Sequence, residues 1–346
     1  MNDDPVAIPS LRISHLRLHL QPEQPLQLPA NNKGNSLRGG FGSAFRKLVC
    51  VDLSWECAQC SLRFQCPYTQ VFNPFLPPDA TQLTGNPNIP RPFVVKPPLT
   101  AQTTYAPGES VVFDLVVAGR AVDYLPYFIV AFRELGANGF GLNRARVALA
   151  RVDAVAADGS LTTVYEGTSN LVRPPTPFQI HLIDTPDACR PSPILSPVEG
   201  PVVPSDTLTL HFLTPTTLKS GSSPGHEGEA VRHPAFHHVL KRLRDRVNAL
   251  STFYGDGPLN IDFKALGTAA EEIRTVEDAT RWVDRSRFTR RRGVTHDLSG
   301  FAGRLTVQGN LQPFLTLLRA GEYLHIGKNA VFGNGWLRIE AATPRH

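Results

Sequence analysis

The sequence has a single methionine in 346 residues, no run of 18 apolar residues, and no basic-then-apolar leader ending in small residues. Those absences argue against membrane-spanning helices, and a soluble cytoplasmic protein is expected. There is no glycine-rich run ending in Gly-Lys-Ser/Thr, which excludes a Walker-type nucleotide loop. Helix-turn-helix and regular finger spacings are also missing, which disfavours a cysteine-cluster nucleic-acid-binding regulator. Neither sign of charge dominates: 35 Lys and Arg against 30 Asp and Glu leave a formal charge of +5. An anionic partner is therefore compatible with the total, but the distribution has to identify it.

Proline is abundant, with 31 residues, which points to long rigid connections rather than a helical bundle. The composition is globular, 41% hydrophobic and 19% charged, and the length suits two domains of ordinary size. After a disordered start over residues 1–10, apolar residues from Leu11 to Leu20 follow a two-residue period that slips at Leu16, predicting a bulged strand. Leu37, Phe41, Phe45 and Leu48 recur at helical spacing behind a Ser36 N-cap, with Arg38, Arg46 and Lys47 off the apolar stripe. A cysteine-bearing segment and a proline-rich surface loop over residues 73–98 follow. Ser110 to Ala118 predicts a strand, Tyr124 to Leu135 an apolar helix, and Arg144 to Val155 another strand.

A second proline-rich run, residues 173–204, reads as an interdomain connection. The pattern then restarts with a strand at Thr207 to Phe212 and a helix whose core stripe is Phe236, Val239, Leu240, Leu243, Val247 and Leu250. Helical residues around Thr275 to Asp284, a basic strand, a strand from Gly303 to Gly309, a helix from Leu311 to Arg319 and a last strand through Leu337 and Ile339 complete it. Each half thus follows strand, helix, strands, helix, strand. The expected architecture is α+β: two tandem ferredoxin-like (RRM-like, βαββαβ) units spanning residues 1–204 and 205–346, with a cysteine-cluster insertion in the first.

Three groups of residues can carry chemistry. Cys50, Cys57, Cys60 and Cys66 can surround one tetrahedral ion, and structural zinc is the first expectation. An iron–sulfur cluster uses the same donors, and four buried reduced cysteines are the plain alternative. A four-thiolate site leaves no open position for catalysis. Arg281, Arg285, Arg287, Arg290, Arg291 and Arg292 place six guanidinium groups in 12 residues, a concentration suited to phosphates. Trp282 and Phe288 lie among them and can stack on bases if exposed. Finally, the segment from Gly321 to Glu340 combines Gly327, Gly333 and Gly335 with Tyr323, His325 and Lys328. Its glycines permit close approach of backbone amides to phosphate. An accessible His325 could transfer protons at neutral pH beside the Lys328 cation. A structural glycine-rich hairpin is the plain alternative there.

The stretch Leu37-Arg-Gly-Gly-Phe-Gly-Ser-Ala-Phe-Arg46, the cysteine cluster ending Cys66-Pro-Tyr68, the turn Glu134-Leu-Gly-Ala-Asn-Gly-Phe-Gly141, Arg287-Phe-Thr-Arg-Arg-Arg292 ahead of Gly300-Phe-Ala-Gly303, and the C-terminal glycine-rich loop carry a resemblance. Together they resemble the CRISPR-associated endoribonucleases of the RAMP superfamily that process precursor CRISPR RNA. The resemblance implies a cleft holding repeat RNA and a metal-independent attack of a ribose 2′-OH on the adjacent phosphate, with retention of the product as a guide a further expectation. Repeat RNA and other CRISPR effector subunits are the implied partners. Many members carry a histidine in or beside the first helix, and Ser36 to Cys50 contains none. His325 therefore leads as catalytic candidate, with Tyr323 and Lys328 assisting and His237 and His238 as runners-up. RNA backbone contacts are expected from Arg38, Arg46, Lys47, Arg285, Arg287, Arg290, Arg291, Arg292, Gly327, Gly333 and Gly335. The alternative is a non-catalytic RAMP subunit that binds guide RNA.

Overall fold

The computed structural model describes residues 10–76, 89–169, 171–181, 206–221, 228–289 and 294–341. The expected disordered start, much of both proline-rich stretches and Arg290 to Arg292 fall outside those residues. Two compact units are present. One comprises Ile13–Phe178 with Ala330–Gly333, and the other Met1–Arg12, Gln179–Asn329 and Asn334–His346. Among the described residues no helix is long and apolar enough to cross a membrane.

The N-terminal unit runs β1 (Ser10–Pro22), α1 (Lys33–Val49), α2 (Pro67–Phe72), β2 (Phe93–Lys96), β3 (Val111–Ala118), α3 (Leu125–Ala137), β4 (Val147–Val155) and β5 (Leu161–Glu166). Its strands lie in the order β2-β3-β1-β4-β5, every neighbouring pair antiparallel. The first four are the four strands of a ferredoxin-like unit, with β1 between the third and the fourth. Leu16, Leu18 and Leu20 enter the core from alternate positions of β1. The buried positions change phase between Ile13 and Leu16, as the sequence period does, and the ladder to β4 slips further on, between His19 and Leu20. Helix α1 buries Leu37, Phe41, Ala44 and Phe45, one stripe at helical spacing. The Phe41 ring stacks on Phe132 at 4.5 Å and meets Phe72, Phe93 and Phe128 edge-on at 5.0 to 5.7 Å. Such pairs add roughly 0.5–1.5 kcal/mol each beyond their burial. Helix α1 passes close to α3 at Gly40, where a Cβ would stand 2.5 Å from Leu135 Cδ1 and displace that leucine.

The C-terminal unit repeats the plan with β6 (Thr207–Thr216), α4 (Phe236–Tyr254), α5 (Phe263–Glu271), β7 (Arg274–Val283), β8 (Ser286–Thr289), β9 (Val294–Asp297), β10 (Gly300–Gln308), α6 (Leu315–Leu324) and β11 (Leu337–Ala341). The sheet order is β7-β10-β6-β11, again antiparallel throughout. All six residues of the α4 stripe are buried.

Three local expectations are corrected. Thr275 to Asp284, expected helical, lies almost wholly in strand β7. Its β-branched and aromatic residues favour an extended chain, and its position at a sheet edge exposes both faces, which removes the alternation by which a strand is recognised. Helix α1 starts three residues before Ser36, whose N–H donates within the helix to Asn32 O at 3.1 Å. The last helix starts at Leu315, after a single tight turn over Gln312–Phe314 that contains Pro313.

Candidate nucleic-acid interface

Opposite its core face, β1 presents His15, Arg17 and His19. Register places Arg17 directly across from Asp114 on one side and from Asp153 on the other. Arg17 donates to Asp114 at 2.9 and 3.1 Å, and His15 Nε2 pairs with the same carboxylate at 2.9 Å. His19 Nε2 lies 3.1 Å from Asp153, which also pairs with Arg151 and accepts from the Thr163 hydroxyl at 2.8 Å. Burial alone would raise the Asp114 carboxyl, but the bonds from His15 and Arg17 outweigh it and hold the group well below the usual carboxylate range. Burial lowers the pKa of both histidines, for His19 with help from Arg151.

The signs fix a pH dependence. Asp114 has a folded pKa below its unfolded value of about 3.9, so its contribution is complete above that pH and is lost as the pH falls through the folded value. The two histidines favour the neutral form when folded, so acidification below about 6.5 also weakens the unit. Asp114→Asn is expected to cost about 2–3 kcal/mol at neutral pH, and the gap to the native chain should close below pH ~4. Urea unfolding at pH 3 to 8 measures both; an equal gap across that range would contradict the assignment.

The C-terminal unit carries the arginine concentration. Strands β7 and β10 pair from Arg274 with Gln308 to Val283 with Gly300, and β8 and β9 continue as a hairpin from Ser286 with Asp297 to Thr289 with Val294. Arg287 stands opposite His296, while Arg290, Arg291 and Arg292 lie outside the described residues. Arg285 is different: burial lowers its pKa, and its backbone is tied to the Ser299 side chain at 3.0 and 3.2 Å. Trp282 is half-buried, with its indole N–H on Asp284 at 2.9 Å and Arg232 over its ring.

The glycine-rich segment is not an open phosphate cradle. His325, Gly327, Asn329, Gly333 and Gly335 all have positive φ, and the chain folds back onto itself and its neighbours. Amides of Ile326, Lys328, Gly333 and Gly335 donate to the carbonyls of Gly335, Thr217, Ala330 and Pro215 at 2.8 to 3.1 Å. A Cβ at Gly327 would meet Thr217 O at 2.4 Å, at Gly333 Pro97 Cδ at 2.6 Å, and at Gly335 Ile326 O at 1.7 Å. Those glycines admit protein atoms, not the phosphate expected beside them.

His325, expected to be accessible, is completely buried. Its Nδ1 lies 3.1 Å from Asn334 O and its ring stacks on Trp336 at 5.8 Å. The Arg246 guanidinium donates to Leu324 O at 2.8 Å, and burial lowers its pKa to about 10. Tyr323 is half-buried, its pKa raised by burial and by Glu322. Of the expected catalytic trio only Lys328 is exposed.

The remaining candidates have local partners. Arg38 lies between the Phe72 and Phe332 rings at 5.4 and 5.1 Å. Arg46 donates to Leu53 O and Trp55 O at 3.1 and 2.9 Å, while Lys47 is exposed. His238 Nδ1 accepts from the Ala235 N–H at 3.1 Å and so closes the start of α4, with His237 against it. Cys50, Cys57, Cys60 and Cys66 are reduced and half-buried and line one small cavity. The acidic partners on the N-terminal sheet escaped the sequence reading. A lone carboxylate within an apolar strand, as in Val112-Phe-Asp114-Leu-Val116, was the available signal.

Residues 210–337 match the family model of the CRISPR-associated endoribonuclease Cas6, and residues 11–177 match a model described as an N-terminal domain. An uncharacterized protein of Archaeoglobus fulgidus is 26% identical over 310 residues, 89% of this chain and 91% of that one. Thermus thermophilus Cas6 has the same fold, with a TM-score of 0.50 at 14% identity over 95% of this chain and 99% of that one. A partial Cas6-RT-Cas1–Cas2 complex matches with a TM-score of 0.54 at 12% identity over 97% of this chain and 47% of that one.

Proposed function

We propose that this chain, whose residues 210–337 match the Cas6 family model, is a RAMP-type CRISPR-associated protein that processes precursor CRISPR RNA, cutting it within its repeats without a catalytic metal. The observation that carries the proposal is that the segment matched by this family model contains the β8–β9 hairpin with Arg287, beside the sequence run Arg290 to Arg292. RNA brings its own nucleophile, the ribose 2′-OH, so the protein has to hold the scissile linkage in line, move protons and stabilise the phosphorane charge. Arg287 and Arg290 to Arg292 are the proposed backbone clamp. Exposed Lys328 is the proposed cation at the reacting phosphate.

A second reading, a RAMP subunit that binds guide RNA without cutting it, is favoured by two observations: His325 is enclosed, and α1 has no histidine. Cleavage of the cognate repeat in EDTA distinguishes the two. The expected result is cutting that a single 2′-deoxyribose at the scissile nucleotide abolishes, with binding unchanged. Tight binding of unmodified repeat with no product would establish the subunit reading instead.

A further inference from the structure

We propose that Cys50, Cys57, Cys60 and Cys66 bind one zinc ion that fastens the connection between α1 and α2. All four thiols line the same cavity, which has a volume of about 20 Å³, room for one water-sized guest. A second observation is independent of the sulfurs. Between Cys50 and Cys66 not one residue is buried, and Val51, Leu53, Trp55 and Leu62 expose 42 to 71% of their surface. A connection without a core of its own cannot offset its ordering entropy by apolar burial. Metal–thiolate bonds supply what burial does not.

The local backbone suits the donors. A tight turn over Cys57–Gln59 brings the Cys60 N–H to Cys57 O at 3.3 Å, so the backbone of the central pair is already turned back on itself. Four thiolates around a divalent ion leave two net negative charges. Arg46 stands beside Cys50 and Cys57 and braces the loop through the Leu53 and Trp55 carbonyls. Among the described residues no three His, Cys, Asp or Glu side chains form a ready-made metal set. Binding is thus coupled to drawing the four sulfurs inward, with each thiol releasing its proton to solvent. With four protein ligands the site has no open position and serves structure, not cleavage.

Metal analysis of the full chain, purified reduced in zinc-containing medium, should give about one zinc per chain. Cys57→Ser/Cys60→Ser should reduce this at least tenfold, and Cys189→Ser should leave it unchanged. Cobalt in place of zinc should give the intense thiolate-to-metal absorption of a tetrahedral site. Because the double variant can misfold, the native chain provides a separate readout: four of its five cysteines should resist a thiol reagent until a strong chelator releases zinc in step with their reaction. Zinc retained by the double variant, iron at cluster stoichiometry, or four thiols reactive from the start in metal-free protein would each overturn the proposal.

Discussion

Replacing Arg287, Arg290, Arg291 and Arg292 together by alanine is expected to weaken binding of the cognate repeat about a thousandfold near 0.1 M salt and to flatten the slope of log K against log[salt] by about 3. Each guanidinium that neutralises a phosphate releases condensed counterions, worth roughly 0.7 in the slope for single-stranded RNA, and four of them give the stated change. Arg285 is left intact because its burial and the Ser299 bonds make it part of the hairpin base, so a change there would mix folding with binding. The thermal transition should stay put, because β8 and β9 form a two-stranded sheet of their own, separate from the four-stranded sheet of the unit. Titration at four salt concentrations measures both quantities. An affinity within threefold of the native chain and an unchanged slope would move the RNA backbone to another surface, the Arg17 and Arg151 face of the N-terminal sheet being the next to try.

The repeated strand–helix–strand order was legible because the elements that build each core keep a clean period. Leu16, Leu18 and Leu20 alternate, and Phe236 to Leu250 follow a helical stripe, so burial on one side is written into spacing. Strand β7 was not legible for the same reason inverted: its residues from Arg274 to Ala279 are exposed on both faces, so no periodic constraint acts on them. The polar network on β1 depends on partners 97 and 134 residues away, and strand register is a property of the folded sheet that no local window contains. The arginine concentration was visible as composition. The fate of the glycine-rich segment was not, because positive-φ positions allow a chain to wrap a ligand or to wrap itself, and only the neighbouring carbonyls decide between them.

That decision gives the other large expected effect. Gly335→Ala should destabilise the C-terminal unit by more than about 4 kcal/mol, enough to remove its cooperative unfolding transition. The new Cβ would stand 1.7 Å from Ile326 O at a φ of 70°, and the Ile326 N–H to Gly335 O bond of 2.8 Å prevents the two strands of the loop from parting without further loss. His325→Ala tests the same joint more gently. It removes a buried ring from Trp336 and a hydrogen bond from Asn334 O, and about 2–4 kcal/mol is expected. A general base and a structural wedge respond differently here. If His325 moved the proton, its alanine variant would fail to cut RNA that it still bound, even well below its lowered transition. If it holds the loop closed, the unfolding temperature falls while the protein that remains folded well below the transition still cuts. Calorimetry and single-turnover cleavage on the same preparation separate the two, and complete burial of the imidazole makes the second outcome the expected one.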